Sequence, residues 1–368
     1  MLRKSSGMKE GRAKANKLVQ GKLAPVQSVH RMLAQFDVAD SYEDAQRGLA
    51  VISECTIPKS KKAIAGNFAD DECEVDIRYV FPEEFVMKAQ SAIRTFRNAL
   101  GDGISSDGIG VRVPRFGVYS QQDINAMDRW HTAISYVTET TNAIKWALHT
   151  SIKRVEVPPE LEDGVSEIPE DREAAFKWIP LRGERSTSLG SLLYRALRSF
   201  CENNWMDDAA MCHGLVLLQR ENAGFGVVDP IFQQLPDEQV KVAPQANPFQ
   251  EGNDVILIPM HVDGNHWCGI VIDFRAESRG ITIFDPLQEK TGKYYDVCKA
   301  KLMEQYGELY HLLHVKKETK SRQPDMASCG VAVLMFFECK IRGITLLPKP
   351  SLAFMRFMRL RYLLKCTL

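Results

Sequence analysis

The 368-residue sequence predicts an α+β fold for its C-terminal half, preceded by a mainly helical N-terminal region. Three patterns carry that expectation. Apolar residues recur at helical spacing over 82–100 and 120–148. After an acidic, proline-containing stretch, helical patterns stand apart from short apolar runs of strand length. Two of those runs are separated by only the polar Arg275-Ala-Glu-Ser-Arg-Gly280, which implies an antiparallel hairpin.

Four segments follow in order. Residues 1–22 carry seven Lys or Arg against Glu10 alone, a basic tail that reads as solvated or as a nuclear-targeting arm. Residues 23–154 form the mainly helical region, whose role the sequence leaves open. Pro82-Glu-Glu-Phe85 opens one helix, with Phe85, Ala89, Ile93, Phe96 and Leu100 on one face. Ser120-Gln-Gln-Asp123 resembles a capping box for the next. That helix carries Met127, Trp130, Ile134, Val137, Thr141, Ile144 and Leu148 as a heptad seam, which suits an internal core or self-association through 127–148. Gly101–Gly110 lacks the features of a phosphate or calcium loop and reads as a connection.

Residues 155–177 hold eight acids and three prolines and have the composition of a linker. Residues 178–368 then form the second domain. Its expected order is a helix over 189–201, a helix over 207–218, a strand over 255–260, the hairpin, a helix over 294–306, a strand over 311–315, a helix at Cys329 and a last helix over 354–364.

Whole-chain composition narrows the function classes. Net charge is +0, so nucleic acid is not an expected partner. No apolar run approaches the ~20 residues that span a bilayer, so no membrane is expected either. Nine cysteines at irregular spacing, without an apolar leader, suit reduced thiols and a soluble protein of the nucleus or cytoplasm.

Chemistry concentrates in the last third. Cys329-Gly330 precedes the apolar run Val331–Phe337, so the cysteine opens a buried helix after the capping type Ser328. Helix N-termini favour anions, and thiolate is the reactive form of cysteine. His266 begins one strand of the hairpin and Asp285 ends the other, placing a base and its orienting carboxylate on one edge. A turn centred near Glu277 would set Asp285 opposite Ile270 rather than His266. Gln323, six residues before the cysteine, suits an oxyanion donor together with the Cys329 N–H. His261, His266, Cys268 and Cys298 lack the paired spacing of zinc ligands. Neither a metal nor a cofactor is expected, and His261 reads as a loop residue.

His-Trp, then Asp, then Gln with five residues before Cys-Gly resembles the catalytic domain of the ubiquitin-like-protein-specific (SUMO/sentrin-specific) cysteine proteases, relatives of the adenovirus protease. Trp205-Met-Asp-Asp208 resembles a second motif of that family, and the likeness spans about 178–368. The resemblance implies a papain-like fold, with helix and sheet lobes meeting at the active site. It implies a deSUMOylating-type peptidase or isopeptidase with Cys329, His266, Asp285 and Gln323 as its catalytic group. It further implies that Trp205 and Trp267 flank a tunnel for a Gly-Gly tail, and that Asp208 faces the modifier. Two positions depart from the pattern: Ser328 stands where the family usually has Asp, and Asp325 where it usually has Asn. Three alternatives stay open: a polypeptide-processing protease of viral or mobile-element type, acyl transfer by the same Cys–His pair, and a catalytically silent modifier-binding module.

Overall fold

The computed structural model describes residues 29–39, 44, 47, 62–74, 77, 79–100, 108–176, 183–230 and 247–367. The basic tail and most of the glycine-rich stretch lie outside them. The chain divides into two compact units, 1–141 and 142–368.

The first unit contains α1 (Val29–Asp37), β1 (Ile64–Asn67), α2 (Glu83–Leu100), β2 (Ile109–Val113), β3 (Gly117–Ser120) and most of α3 (Gln121–His149). Helix predominates as expected, but the strands add an antiparallel sheet in the order β1-β2-β3. These strands are four or five residues long, too short to leave a clear alternating pattern in sequence. The capping box forms, since the Ser120 N–H and hydroxyl both donate to Asp123 Oδ2 at 2.8 Å. Met127 and Trp130 of the seam sit in a core with Phe81, Phe85, Val86 and Val111. That part of the seam is therefore internal.

The second unit begins before the expected boundary. Within the presumed linker, α4 (Pro169–Phe176) is helical, and Arg172 is buried. Arg172 donates to the carbonyls of Ala147 and Thr150 at 3.0 and 2.6 Å, capping the end of α3. Asp163 accepts from Arg361 Nε at 3.1 Å and also pairs with Lys365. The acids that suggest a linker include one that answers basic residues nearly 200 positions away. Local composition cannot register such a pairing.

A two-stranded ribbon, β4 (Glu184–Thr187) and β5 (Gly190–Leu193), and a 3-10 turn over Tyr194–Phe200 replace the helix expected over 189–201. Next come α5 (Asp208–Glu221), β6 (Phe225–Val227), β7 (Val255–Val262), β8 (His266–Asp273) and β9 (Gly280–Phe284). They lead to α6 (Lys293–Leu312), β10 (Val315–Glu318), α7 (Cys329–Arg342) and α8 (Leu352–Thr367). The five-stranded sheet runs β10-β9-β8-β7-β6. Its inner pairs are antiparallel and its two edge pairs parallel.

One sheet face packs on α6 through Ile258, Ile270, Ile283, Cys298 and Leu302. The other takes α7. Gly269 permits this, because a Cβ there would lie 3.1 Å from Phe336 and Phe337 and 3.2 Å from Val333. Each such large apolar side chain, fully buried, contributes roughly 1.5–3 kcal/mol. Val331–Phe337 is buried throughout, so α7 is a central rod wrapped by sheet and helices. That setting holds its N-terminus, and Cys329, in a fixed place.

Candidate active site

Cys329 is the first residue of α7 and is 2% exposed. The loop before it is organised by Asp325, not by the Ser328 hydroxyl. Asp325 Oδ1 accepts the N–H groups of Ala327 and Ser328 at 2.9 and 2.8 Å, and Oδ2 accepts the Ser328 hydroxyl at 2.9 Å. Ser328 occupies the cap position without capping the helix through its side chain. Gly330 follows because a Cβ there would lie 2.8 Å from Met206 Cβ and Sδ.

His266 opens β8 and is buried. The β8–β9 ladder ends at Gly269 opposite Phe284, which sets Asp285 beyond it, beside Cys268. The turn thus centres slightly before Glu277, and Asp285 comes two residues nearer to His266 than its expected place opposite Ile270. Diagonal neighbours on one face are within side-chain reach. The result is a hydrogen bond of 2.9 Å between His266 Nε2 and Asp285 Oδ1. Cys329 lies near enough to the imidazole to help raise its pKa. Tyr294 lies along the imidazole, ring centroids 4.4 Å apart.

The electrostatics follow from those contacts. Burial disfavours the imidazolium, but the bond to Asp285 and the nearness of Cys329 outweigh it and raise the His266 pKa to about 9. Burial likewise pushes the Asp285 carboxyl up. The His266 bond and the N–H groups of Glu289 and Leu287, each at 2.9 Å, hold it below the usual carboxylate range. A negative carboxylate beside an imidazole that favours its charged form results.

Gln323 is buried beside this pair, with its N–H donating to the Pro286 carbonyl at 2.8 Å. Its side-chain Nε2 donates to the Asp325 carbonyl, and Oε1 has no partner. A primary amide has two N–H groups, and one of them fixes the side chain here.

The tryptophans differ. Trp267 is 1% exposed, its Nε1 donates to the Met206 carbonyl at 2.8 Å, and its ring stacks on His261 at 4.6 Å. His261 is thus a residue of β7, not of a loop. Trp205 is 49% exposed on the segment that crosses above Gly330. Of the two expected tunnel walls, one is presented to solvent and one is sealed beneath its neighbour. Asp208 is the partly exposed first residue of α5, whose cap is Asp207, with Oδ1 accepting from Ala210 N at 2.7 Å.

Among the described residues, His266, Cys268 and Asp285 form one buried set with donor atoms within 4.8 Å of one another. Two of the three already bond each other. Asp325, Tyr294 and Arg359 were not singled out from sequence for the site. Asp325 was visible there only as a departure from a pattern. Tyr294 and Arg359 leave no local signal.

Residues 237–359, a third of the chain, match the model of the Ulp1 protease family, C-terminal catalytic domain. A comparison with curated proteins finds no match. Solved structures include the C-terminal Ulp1 protease domain in complex with Smt3, the yeast ortholog of SUMO. It is 15% identical, with a TM-score of 0.40, covering 50% of this chain and 84% of that one. The Ulp1-like SUMO protease catalytic domain of Chaetomium thermophilum is 17% identical, with a TM-score of 0.38, covering 59% of this chain and 93% of that one. The Xanthomonas campestris effector XopD bound to ubiquitin is 16% identical, with a TM-score of 0.34, covering 42% and 89% respectively. Residues 237–359 are thus similar to the C-terminal catalytic domain of the Ulp1 protease family.

Proposed function

We propose that this chain cleaves the bond following the glycine tail of a SUMO-like, ubiquitin-like modifier, in a precursor or an isopeptide conjugate. The observation that carries the reading is the buried imidazole of His266, hydrogen-bonded to Asp285 and near enough to Cys329 for both to raise its pKa. The Cys329 sulfur, its proton already on the imidazolium of His266, attacks the carbonyl as a thiolate, and the imidazolium gives that proton to the departing amine. A thioester remains. Water then attacks it as His266 accepts one of its protons, releasing the modifier carboxylate and restoring the thiolate–imidazolium pair. Asp285 holds the ring and its charge. The second Nε2–H of Gln323 and the Cys329 N–H receive the oxyanion.

Glycine specificity has physical support. A sulfur 2% exposed, beneath the segment bearing Trp205 and Met206, is reached only by an extended chain with minimal side chains. Trp205 supplies an apolar wall for that chain, and Asp208 faces the body of the modifier. Eight described cysteines are free thiols, which suits a reducing compartment such as the nucleus or cytoplasm.

The test is covalent capture. SUMO-like and ubiquitin C-terminal probes with a thiol-reactive end should label the wild type and leave Cys329→Ala unlabelled. Labelling that survives in Cys329→Ala overturns the site. A wild type that ignores every modifier probe yet cuts short Gly-Gly peptides overturns the substrate class.

A further inference from the structure

Arg359 lies on α8, far in sequence from every residue of the mechanism, and is 2% exposed. Among the described residues it forms no ion pair with a carboxylate. Its guanidinium donates instead to three main-chain carbonyls. Nη2 reaches Ala327 O at 2.6 Å, and Nη1 reaches Asn204 O at 3.0 Å and Ser199 O at 3.3 Å. Ala327 is two residues before Cys329, and Asn204 immediately precedes Trp205. A buried cation that no carboxylate contacts directly is costly, even with Asp325 near enough to favour its charge, so its retention calls for a task that an apolar residue could not perform. The planar fork of arginine suits one task here, joining separate backbones in a set geometry.

We infer that Arg359 is a positioning residue that locks the Trp205 segment to the loop before Cys329, so that the lip of the substrate channel and the nucleophile keep one registration. This rests on the peptidase reading above. Met326 deepens it. That side chain is 67% exposed beside Ala327, and Trp205 is 49% exposed beside Asn204. The guanidinium therefore sets the spacing between two large apolar side chains presented at the site. A substrate chain passing between them is gripped only while both loops are tied.

Arg359→Lys keeps charge and stem but offers a point donor that cannot serve all three carbonyls. In this variant, backbone hydrogen exchange should rise together in 199–206 and 324–330, with β8 unchanged. Labelling by a modifier C-terminal probe should fall at least tenfold, while alkylation of Cys329 by iodoacetamide stays within threefold of wild type. In a Trp205→Ala background the same substitution should weaken probe labelling much less, because the lip it positions is gone. Exchange rising in one segment alone, or in neither, overturns the tie. So does a loss of labelling equal in both backgrounds. A wild type that no probe labels defeats the peptidase reading instead, and coupled exchange would then still support the tie.

Discussion

Asp325 and Ser328, the two positions that depart from the family pattern, are hydrogen-bond partners, with the Ser328 hydroxyl donating to Asp325 Oδ2 at 2.9 Å. The family usually places its carboxylate at the later position. Here the carboxylate stands three residues earlier and still organises the turn that delivers Cys329. Asp325→Ala removes the two acceptor oxygens of three hydrogen bonds. It should lower stability by ~2–3 kcal/mol and reduce kcat, because the start of α7 loosens. Asp325→Asn keeps an acceptor for both N–H groups and should stay within ~1 kcal/mol. Chemical denaturation and steady-state cleavage check both, and equal effects of the two variants would contradict the assigned bonds.

The pH profile of cleavage should have an alkaline limb near pH 9. His266 must carry a proton to release the amine, and its raised value means that the proton is held below about 9 and lost above it. Asp285→Asn removes the charge that favours the imidazolium, so the limb should shift to lower pH. A limb unmoved by that substitution would assign it to another group.

Glu338 on α7 and Arg361 on α8 form a fully buried bidentate pair, both contacts 2.8 Å, and the Tyr362 hydroxyl also donates to Glu338 at 2.8 Å. Glu338→Gln leaves Arg361 with Asp163 as its remaining carboxylate and should destabilise the fold by less than the ~3–5 kcal/mol of a fully unpaired buried charge. Replacing both, as Glu338→Leu with Arg361→Met, should cost clearly less than the single change. Unfolding midpoints of the three variants decide the matter.

A chain starting at 178 should be less stable than one starting at 142, although the family match begins at 237. The shorter chain lacks Asp163, which pairs with Arg361 and Lys365. It also loses Leu161, which is buried. Comparable unfolding midpoints for the two chains would restore 155–177 to the status of a linker.

Much of the site was legible because its chemistry is carried by residue type and order. His266, Asp285, Gln323 and Cys329 stand out as a set, and the hairpin joining the first two is local. Their exact meeting was not legible. A shift of the turn by about one residue moved Asp285 from opposite Ile270 to beside Cys268, and side-chain reach closed the remaining gap. The helix expected over 189–201 became a ribbon and a 3-10 turn because α5 and α8 pack there and tertiary contacts override weak propensity.

By itself the sequence pointed to Cys329 and His266 as candidate nucleophile and base, and determined the helix that begins at Cys329. These follow from local patterns: an apolar run after Cys-Gly, alternation in short strands, and turn residues between them. Tertiary structure alone decided that Asp163 pairs with Arg361 and Lys365 of α8, that Trp267 is sealed beneath Met206, and that Arg359 joins two loops more than 120 residues apart. The reason is range. Backbone propensity acts over a few neighbours, whereas a buried charge or carbonyl finds its partner wherever folding brings one, at any separation along the chain.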